Sequence, residues 1–363
     1  MRKYLLSLLL VLSLTACGDK AQEISTNGKQ TVKIGGIFPL SGSQASLGEA
    51  MRAGMLQALA EINQDNLHYK YELVFEDNQG KLSVMPTVTN KMISSDKVDV
   101  MGTWSVYARI MAPIADQQGV VQWGYSFEDK NYERFGKYAF NQGIATQDVA
   151  EAMYNILLND GADNISVFAQ NYGIMASVIK DMENKFKQNN LKYVINTFNP
   201  GERDFRITIA KNKEEGFTKF LVMAMLPEKD IILKQLVESN IAKSNLYASA
   251  LDMAKATELY EGIKTVTFYP GSTEFLDIME KHYNLNSTYG AIGFYDFVNL
   301  MIDTYEHLYK EGQKPTAEEV TAYIHAKKKY KCGSGECVVQ DNGFIVNQPA
   351  VRIYKNNKWQ NIE

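Results

Sequence analysis

Residues 31–63 read TVKIGGIFPLSGSQASLGEAMRAGMLQALAEIN, and this stretch decides the fold. Thr31 to Leu40 has the apolar and β-branched content of a strand, and Ser41-Gly42-Ser43 is a loop. Ser46-x-x-Glu49 has the spacing of a capping box. Behind it Leu47, Met51, Met55, Leu59 and Ile62 recur at helical spacing, which predicts an amphipathic helix of about 17 residues. A strand turning directly into such a helix is the first half of a βαβ unit.

The same rhythm continues outward. A strand is expected at Tyr69–Glu76, closing in the turn Asp77-Asn78-Gln79-Gly80. Helices at Val84–Ser95 and Ala108–Gln117 alternate with strands at Val98–Met101 and Val120–Trp123. The pattern restarts with a helix at Gln147–Asn159 and a strand at Ile165–Ala169. Helix Ile174–Lys187, strand Tyr193–Phe198, helix Phe205–Glu215, strand Phe220–Met225, helix Lys229–Ser239 and strand Asn245–Ser249 follow. Long helices are predicted at Ile292–Tyr309 and Thr316–His325. Short strands are predicted over Phe344–Ile362, with Asn356-Asn357 as a hairpin turn. Strands alternating with helices of this length give parallel sheets covered on both faces. Thr31 to Gly143 forms one such unit and Thr146 to Tyr269 a second, so the fold class is α/β with two doubly wound lobes. Ligands of such sheets bind beyond the carboxyl ends of the strands, and the crevice between two lobes is a preferred site.

Composition agrees with two packed domains. The chain has 363 residues, 45% hydrophobic and 22% charged, and ~150 residues per domain gives about two. Net charge is −4, and −6 once Arg2 and Lys3 are removed. A mildly acidic body lacks the basic footprint that nucleic acid requires. Enzyme signatures fail as well. Gly124-Tyr125-Ser126-Phe127-Glu128 misses G-x-S-x-G at its last position, and neither a P-loop nor H-E-x-x-H occurs. No cofactor is implied.

The N-terminus speaks to location. Arg2 and Lys3 precede ten largely apolar residues, Leu5 to Leu14. These would rise only ~15 Å as a helix, about half a bilayer core, and so form an export signal rather than a span. Leu14-Thr15-Ala16-Cys17 resembles the bacterial lipoprotein box, which implies a lipid on Cys17 and removal of the residues before it. Residues 18–30 are polar and suit a flexible tether. The two remaining cysteines, Cys332 and Cys337, bracket Gly333-Ser334-Gly335-Glu336 and read as a local disulfide. The alternative, a metal site, needs further ligands. His68, His282, His307 and His325 show no ligand spacing, so no metal is expected.

Several motifs in order carry a family resemblance. Ile34-Gly35-Gly36-Ile37-Phe38-Pro39-Leu40-Ser41-Gly42, then Leu47-Gly48 and Ala60-Glu61-Ile62-Asn63, resembles the opening of the branched-chain amino-acid (leucine/isoleucine/valine) binding proteins. These are type I periplasmic binding proteins of ABC importers. Glu76-Asp77 with Gly80, Gly102 with Ser105, Ala112-Pro113-Ile114-Ala115, Tyr172-Gly173, Asp204-Phe205 and Tyr295-Asp296 continue the match. The resemblance implies a monomeric, non-enzymatic receptor whose two lobes, joined by a three-stranded hinge, close on a ligand for an ABC permease. It assigns 31–143 and 271–336 to lobe I, and 144–270 and 337–363 to lobe II.

It also implies site residues. A serine after the third strand and backbone N–H groups after the next would grip a ligand carboxylate, matching Ser105, Gly124 and Ser126 here. Tyr172 matches a cleft tyrosine. Ser105 equally reads as a helix cap, Ser126 as a turn residue and Tyr172 as a core tyrosine. Trp104, Tyr107, Trp123 and Tyr125 gather near the expected lobe I wall, as stacking surfaces or as core. Two departures stand out. Met223-Ala224-Met225-Leu226 replaces the family's closing aromatics, which places Met225 at the ligand. Ala250 occupies the position of the glutamate that pairs with the ligand's ammonium, leaving Asp252 as the nearby acid. The expected ligand is therefore an amino acid or related carboxylate. A lipid-anchored sensor or scaffold on the same fold is the competing expectation.

Overall fold

The computed structural model describes residues 28–104, 107–253, 256–285, 287–333 and 335–362. Cys17, the export signal and nearly all of the tether lie outside these, as does Ser105.

The first unit runs β1 (Thr31–Phe38), α1 (Ala45–Ala60), β2 (Lys70–Asp77), α2 (Met85–Ser94), β3 (Val100–Trp104), α3 (Tyr107–Gln117), β4 (Val121–Glu128) and β5 (Ala139–Ala145). The second runs α4 (Thr146–Asn159), β6 (Asn164–Gln170), α5 (Gly173–Gln188), β7 (Lys192–Phe198), α6 (Arg206–Glu214), β8 (Lys219–Met223), α7 (Glu228–Glu238), β9 (Leu246–Ser249) and β10 (Lys264–Phe268). The chain then returns through α8 (Thr273–Tyr283), α9 (Ala291–His307), α10 (Ala317–Lys327), β11 (Lys329–Cys332), β12 (Gly335–Val339) and β13 (Phe344–Val346). It ends in β14 (Pro349–Lys355) and β15 (Lys358–Asn361).

Two sheets result, in the orders β11-β12-β13-β5-β4-β3-β1-β2 and β15-β14-β10-β9-β8-β6-β7. Their centres are parallel, and antiparallel pairs β11–β12–β13 and β10–β14–β15 finish one margin of each. The chain passes between the sheets three times, after Ala145, after Phe268 and after Val346. The lobe boundary expected at residue 337 thus falls inside β12. Residues 337–346 belong with lobe I, because Phe344 pairs in register with Asn141 of β5.

The opening Gly35-Gly36 pair explains why the first sheet is covered so tightly. A Cβ on Gly35 would lie 2.9 Å from Met92 Sδ of α2, and one on Gly36 2.9 Å from Met55 Sδ of α1. Successive strand residues face opposite ways, so helices press on β1 from both faces. Trp123 stacks on Phe297 of α9, with ring centroids 5.4 Å apart, while Gly124 faces Ala108 of α3. Gly54 lets α1 approach α9 closely, since a Cβ there would fall 2.0 Å from the Ala291 carbonyl oxygen.

Two further expectations need correction. Ser46 and Glu49 form no capping box: α1 begins at Ala45 with Gln44 as its N-cap, two residues earlier, and Gln44 offers its backbone carbonyl to Leu47 and Gly48. The reciprocal box occurs instead at α10, between Thr316 and Glu319. Strand β4 extends to Glu128 rather than stopping at Trp123, because β5 pairs with it through Glu128↔Ala145. The Asn356-Asn357 turn does close β14 on β15, with φ of 54° and 60°.

Cys332 and Cys337 form a disulfide across the β11–β12 hairpin. Among the described residues, Asp296, Cys332 and Cys337 are the one metal-compatible cluster, and both sulfurs are tied up in that bond. No described helix is long and apolar enough to cross a membrane.

Candidate functional site

Both sheets point the carboxyl ends of their parallel strands at one interlobe cleft. It holds a cavity of 580 Å³. Lobe I supplies Trp104 from the end of β3, Tyr107 and Arg109 from α3, Ser126, Phe127 and Glu128 from the end of β4, and Tyr289. Lobe II supplies Tyr172 and the start of α5, Met223 and Met225 at and after β8, Lys229 of α7, and Ser249 and Ala250 at and after β9. The lobes also touch at the edge of the cavity, where Phe268 of β10 packs 4.6 Å from Tyr125 and 4.2 Å from Phe127, centroid to centroid.

The wall is mostly apolar, with polar groups at defined points. The Tyr172 hydroxyl of lobe II lies near those of Tyr107 and Tyr289. Burial chiefly raises the pKa of both lobe I tyrosines, with Asp252 and then Tyr172 adding to the rise at Tyr289 and Tyr172 adding to it at Tyr107. Tyr172 also precedes the first turn of α5 and carries no side-chain cap, so the N–H groups of the cavity-lining Gly173 and Ile174 have no helical partner. Such a helix start favours negative charge.

Lys229 is the group that the sequence did not disclose. Only 2% exposed, it lies on the cavity wall with Nζ donating to the carbonyls of Ser249 at 2.6 Å and Ala250 at 3.0 Å. Burial pushes its pKa down from 10.5 to about 8, against the opposing pull of Asp230 and Asp252. Ala250 adopts φ +45° in the left-handed region, a cost of roughly 1–2 kcal/mol for a residue with a Cβ, while its carbonyl reaches the ammonium. An ammonium has three N–H bonds, and among the described residues one remains uncommitted. Ser249 Oγ is buried beside it with no hydrogen-bond partner.

The predicted site residues divide into two groups. Trp104, Ser126, Tyr172 and Met225 line the cavity. Gly124 and Tyr125 do not: β4 continues past them, so Gly124 is closed in by Asn141 and Ala108 while Tyr125 is fully buried against Phe268. Trp123 is core for the same reason. Ser105 itself lies outside the described residues, between the cavity-lining Trp104 and Tyr107. The Ser126 hydroxyl is engaged with Glu128 Oε1 at 3.1 Å and Asn141 Oδ1 at 3.2 Å. Glu128 in turn pairs with Arg109 Nη2 at 3.1 Å. Burial raises its pKa, and Arg109 and Ser126 oppose the rise.

Asp252 is a structural residue, not a free acid in the cleft. It accepts from Thr267 Oγ1 at 2.6 Å and pairs with Arg352 Nη1 at 3.1 Å, both charges buried. Removing one partner of a buried pair strands the other charge, at about 3–5 kcal/mol. Asp252→Asn is therefore expected to lower unfolding free energy by that order in a urea melt, while a ligand bound to the folded protein keeps its affinity within threefold. A large affinity loss at unchanged stability would return Asp252 to the site.

The chain matches the family model described as periplasmic binding protein over residues 31–356. No curated protein matches it. Among solved structures it is similar to the branched-chain amino-acid binding protein LivJ of Streptococcus pneumoniae in complex with isoleucine. That match has 20% identity and a TM-score of 0.76, and covers 92% of this chain and 99% of the other. The leucine-binding protein LivK of Thermotoga maritima matches at 19% identity and TM-score 0.75, covering 92% and 98%. An ABC-transporter solute-binding protein of Rhodopseudomonas palustris, holding 3,4-dihydroxybenzoic acid, matches at 18% and 0.73, covering 92% and 96%. At these identities the structures speak for the fold alone, whereas the family match spans nearly the whole described chain. With two α/β lobes around one cavity, the chain belongs to the periplasmic binding proteins, which are solute receptors and not enzymes.

Proposed function

We propose that this chain is the substrate-binding lipoprotein of an ABC importer. In this reading it captures a small carboxylate-bearing solute, an amino acid or a related acid, between its lobes and delivers it to a membrane permease. The supporting observation is the interlobe cavity itself, which offers a buried ammonium and a helix start within a mostly apolar wall. Convergent polar groups in an apolar cleft suit a small ligand, and they speak against a scaffold that fills the cleft with its own side chains.

The mechanism follows from the hinge. Ligand docks against Trp104 and Tyr107 of lobe I, with the Ser105 hydroxyl as a further donor. Closure then brings Tyr172, Met225 and Lys229 of lobe II onto it. A ligand touching both lobes stabilises the closed arrangement by its differential affinity for that state, and the closed form is what the permease would recognise. The anchor at Cys17, on the periplasmic or extracellular face, rests on the lipoprotein-box resemblance. A single acyl chain holds only marginally, so durable anchoring takes at least two.

The test is a melting series on the mature chain with amino acids, small carboxylates, aromatic acids, peptides and purines. A specific ligand at 100 Kd adds about 2.7 kcal/mol to stability. A melting shift from a carboxylate or amino acid is the expected result. Silence across the panel, with no co-purified solute in native mass spectrometry, would favour the scaffold instead. For the anchor, Cys17→Ser should move the protein from the membrane fraction to the soluble one, and retention in the membrane would rule the lipid out.

A further inference from the structure

We propose that the cleft selects an apolar-bodied monocarboxylate that lacks an α-amino group, its carboxylate anchored on Lys229 Nζ. This rests on the receptor reading above and assigns its substrate class from side chains that the family resemblance does not supply.

Charge decides the question first. Of the ionisable groups on the cavity wall, Arg109 and Glu128 answer one another, while Lys229 meets only neutral carbonyls. The wall thus carries a cation with no ion-pair partner among the described residues, offset only through space by Asp230 and Asp252. A carboxylate cancels it. A zwitterionic amino acid brings no net charge, and its ammonium would enter a closed space already holding a lone cation. Burying an unpaired charge is among the most costly changes a protein can make.

An ammonium, secondly, finds no free acid among the described residues of the wall. Asp252 is committed to Arg352 and Thr267. Glu128 is committed to Arg109 and Ser126. Asp129, next along the chain, accepts from the Asn131 backbone and Gln147. The glutamate position of the amino-acid binders is Ala250, and its carbonyl already serves Lys229.

The donor side, by contrast, is unfilled. Among the described residues Lys229 keeps a spare N–H, while the unpartnered Ser249 Oγ is itself shut off from the cavity. A spare ammonium N–H suits a carboxylate oxygen, and hydrogen bonds to an ionised acceptor are the strong ones. Beyond it Trp104, Tyr107, Phe127, Met175, Met223 and Met225 give an apolar wall for the ligand body, with methionines able to adapt to its outline.

The experiment is calorimetric titration of the mature chain in detergent, freed of co-purified solute by partial denaturation and dialysis. Matched probes differ only in the polar end: 4-methylpentanoate against leucine, 3-phenylpropanoate against phenylalanine, and benzoate against benzamide. In at least one set, the acid is expected to bind tenfold or more tighter than its amine-bearing or amide counterpart. Lys229→Met should weaken that acid at least tenfold with the fold retained by circular dichroism. Lys229→Gln, which keeps a donor for the two carbonyls but removes the charge, should weaken it severalfold even if Lys229→Met fails to fold. An amino acid binding as tightly as its amine-free partner would overturn the inference and leave the receptor reading standing. Full affinity for the acid in either folded variant would also overturn it. No binding of any probe, together with silence in the wider panel, would remove both.

Discussion

A lysine ammonium taken out of water must be answered by oxygen atoms, and the lobe II wall of the cleft is arranged around that requirement at Lys229. Two successive carbonyls, those of Ser249 and Ala250, turn toward Nζ, and the second does so from a left-handed backbone conformation. The carbonyls lower the cost of burial without neutralising the charge. The wall is left with a cation that has no ion-pair partner among the described residues. A pocket of this kind is incomplete until an anion enters, which distinguishes it from a cleft sealed by its own side chains.

The cleft owes its position to topology. In each lobe the cavity-lining residues sit at or just past the carboxyl ends of parallel strands: Trp104 on β3, Glu128 on β4, Tyr172 after β6, Met223 on β8 and Ser249 on β9. Side chains in mid-strand are claimed by the helices on either face, as Trp123 is by Phe297 and Gly124 by Ala108. A single residue's place along its strand therefore separates packing from binding. The interlobe contact of Phe268 with Tyr125 and Phe127 lies at the edge of the cavity that Phe127 also lines, so the lobes are joined there.

This also explains which features could be read from the sequence. The strand–helix alternation was legible because Leu47, Met51, Met55 and their counterparts in later helices keep helical spacing, and buried parallel strands appear as apolar runs. Strand β5 was not, since AFNQGIA buries Asn141 and Gln142 in place of an apolar alternation. Missing β5 hid the true length of β4, which shifted Gly124 and Tyr125 from a supposed binding loop into the core. Helix α8 also went unread, although Ser272 caps it through Phe275 N–H. Lys229 gave no local signal. A lysine in the first turn of a helix that also carries Glu228 and Asp230 looks solvated, and only the return of β9 alongside β8 encloses it. Asp252 misled in the opposite sense, because its partner Arg352 is distant in sequence and joins it only when β14 pairs with β10.

The most direct measurement is the titration of Lys229 itself by heteronuclear NMR of its side-chain carbon and nitrogen, assigned by its loss in Lys229→Met. In the ligand-free protein a midpoint near 8 is expected, well below the ~10.4 of a solvated lysine. A bound carboxylate favours the charged form, so the midpoint should rise when the ligand is added. A midpoint in the ordinary lysine range that ligand leaves unmoved would contradict the view that this cleft is built around a buried cation awaiting an anion.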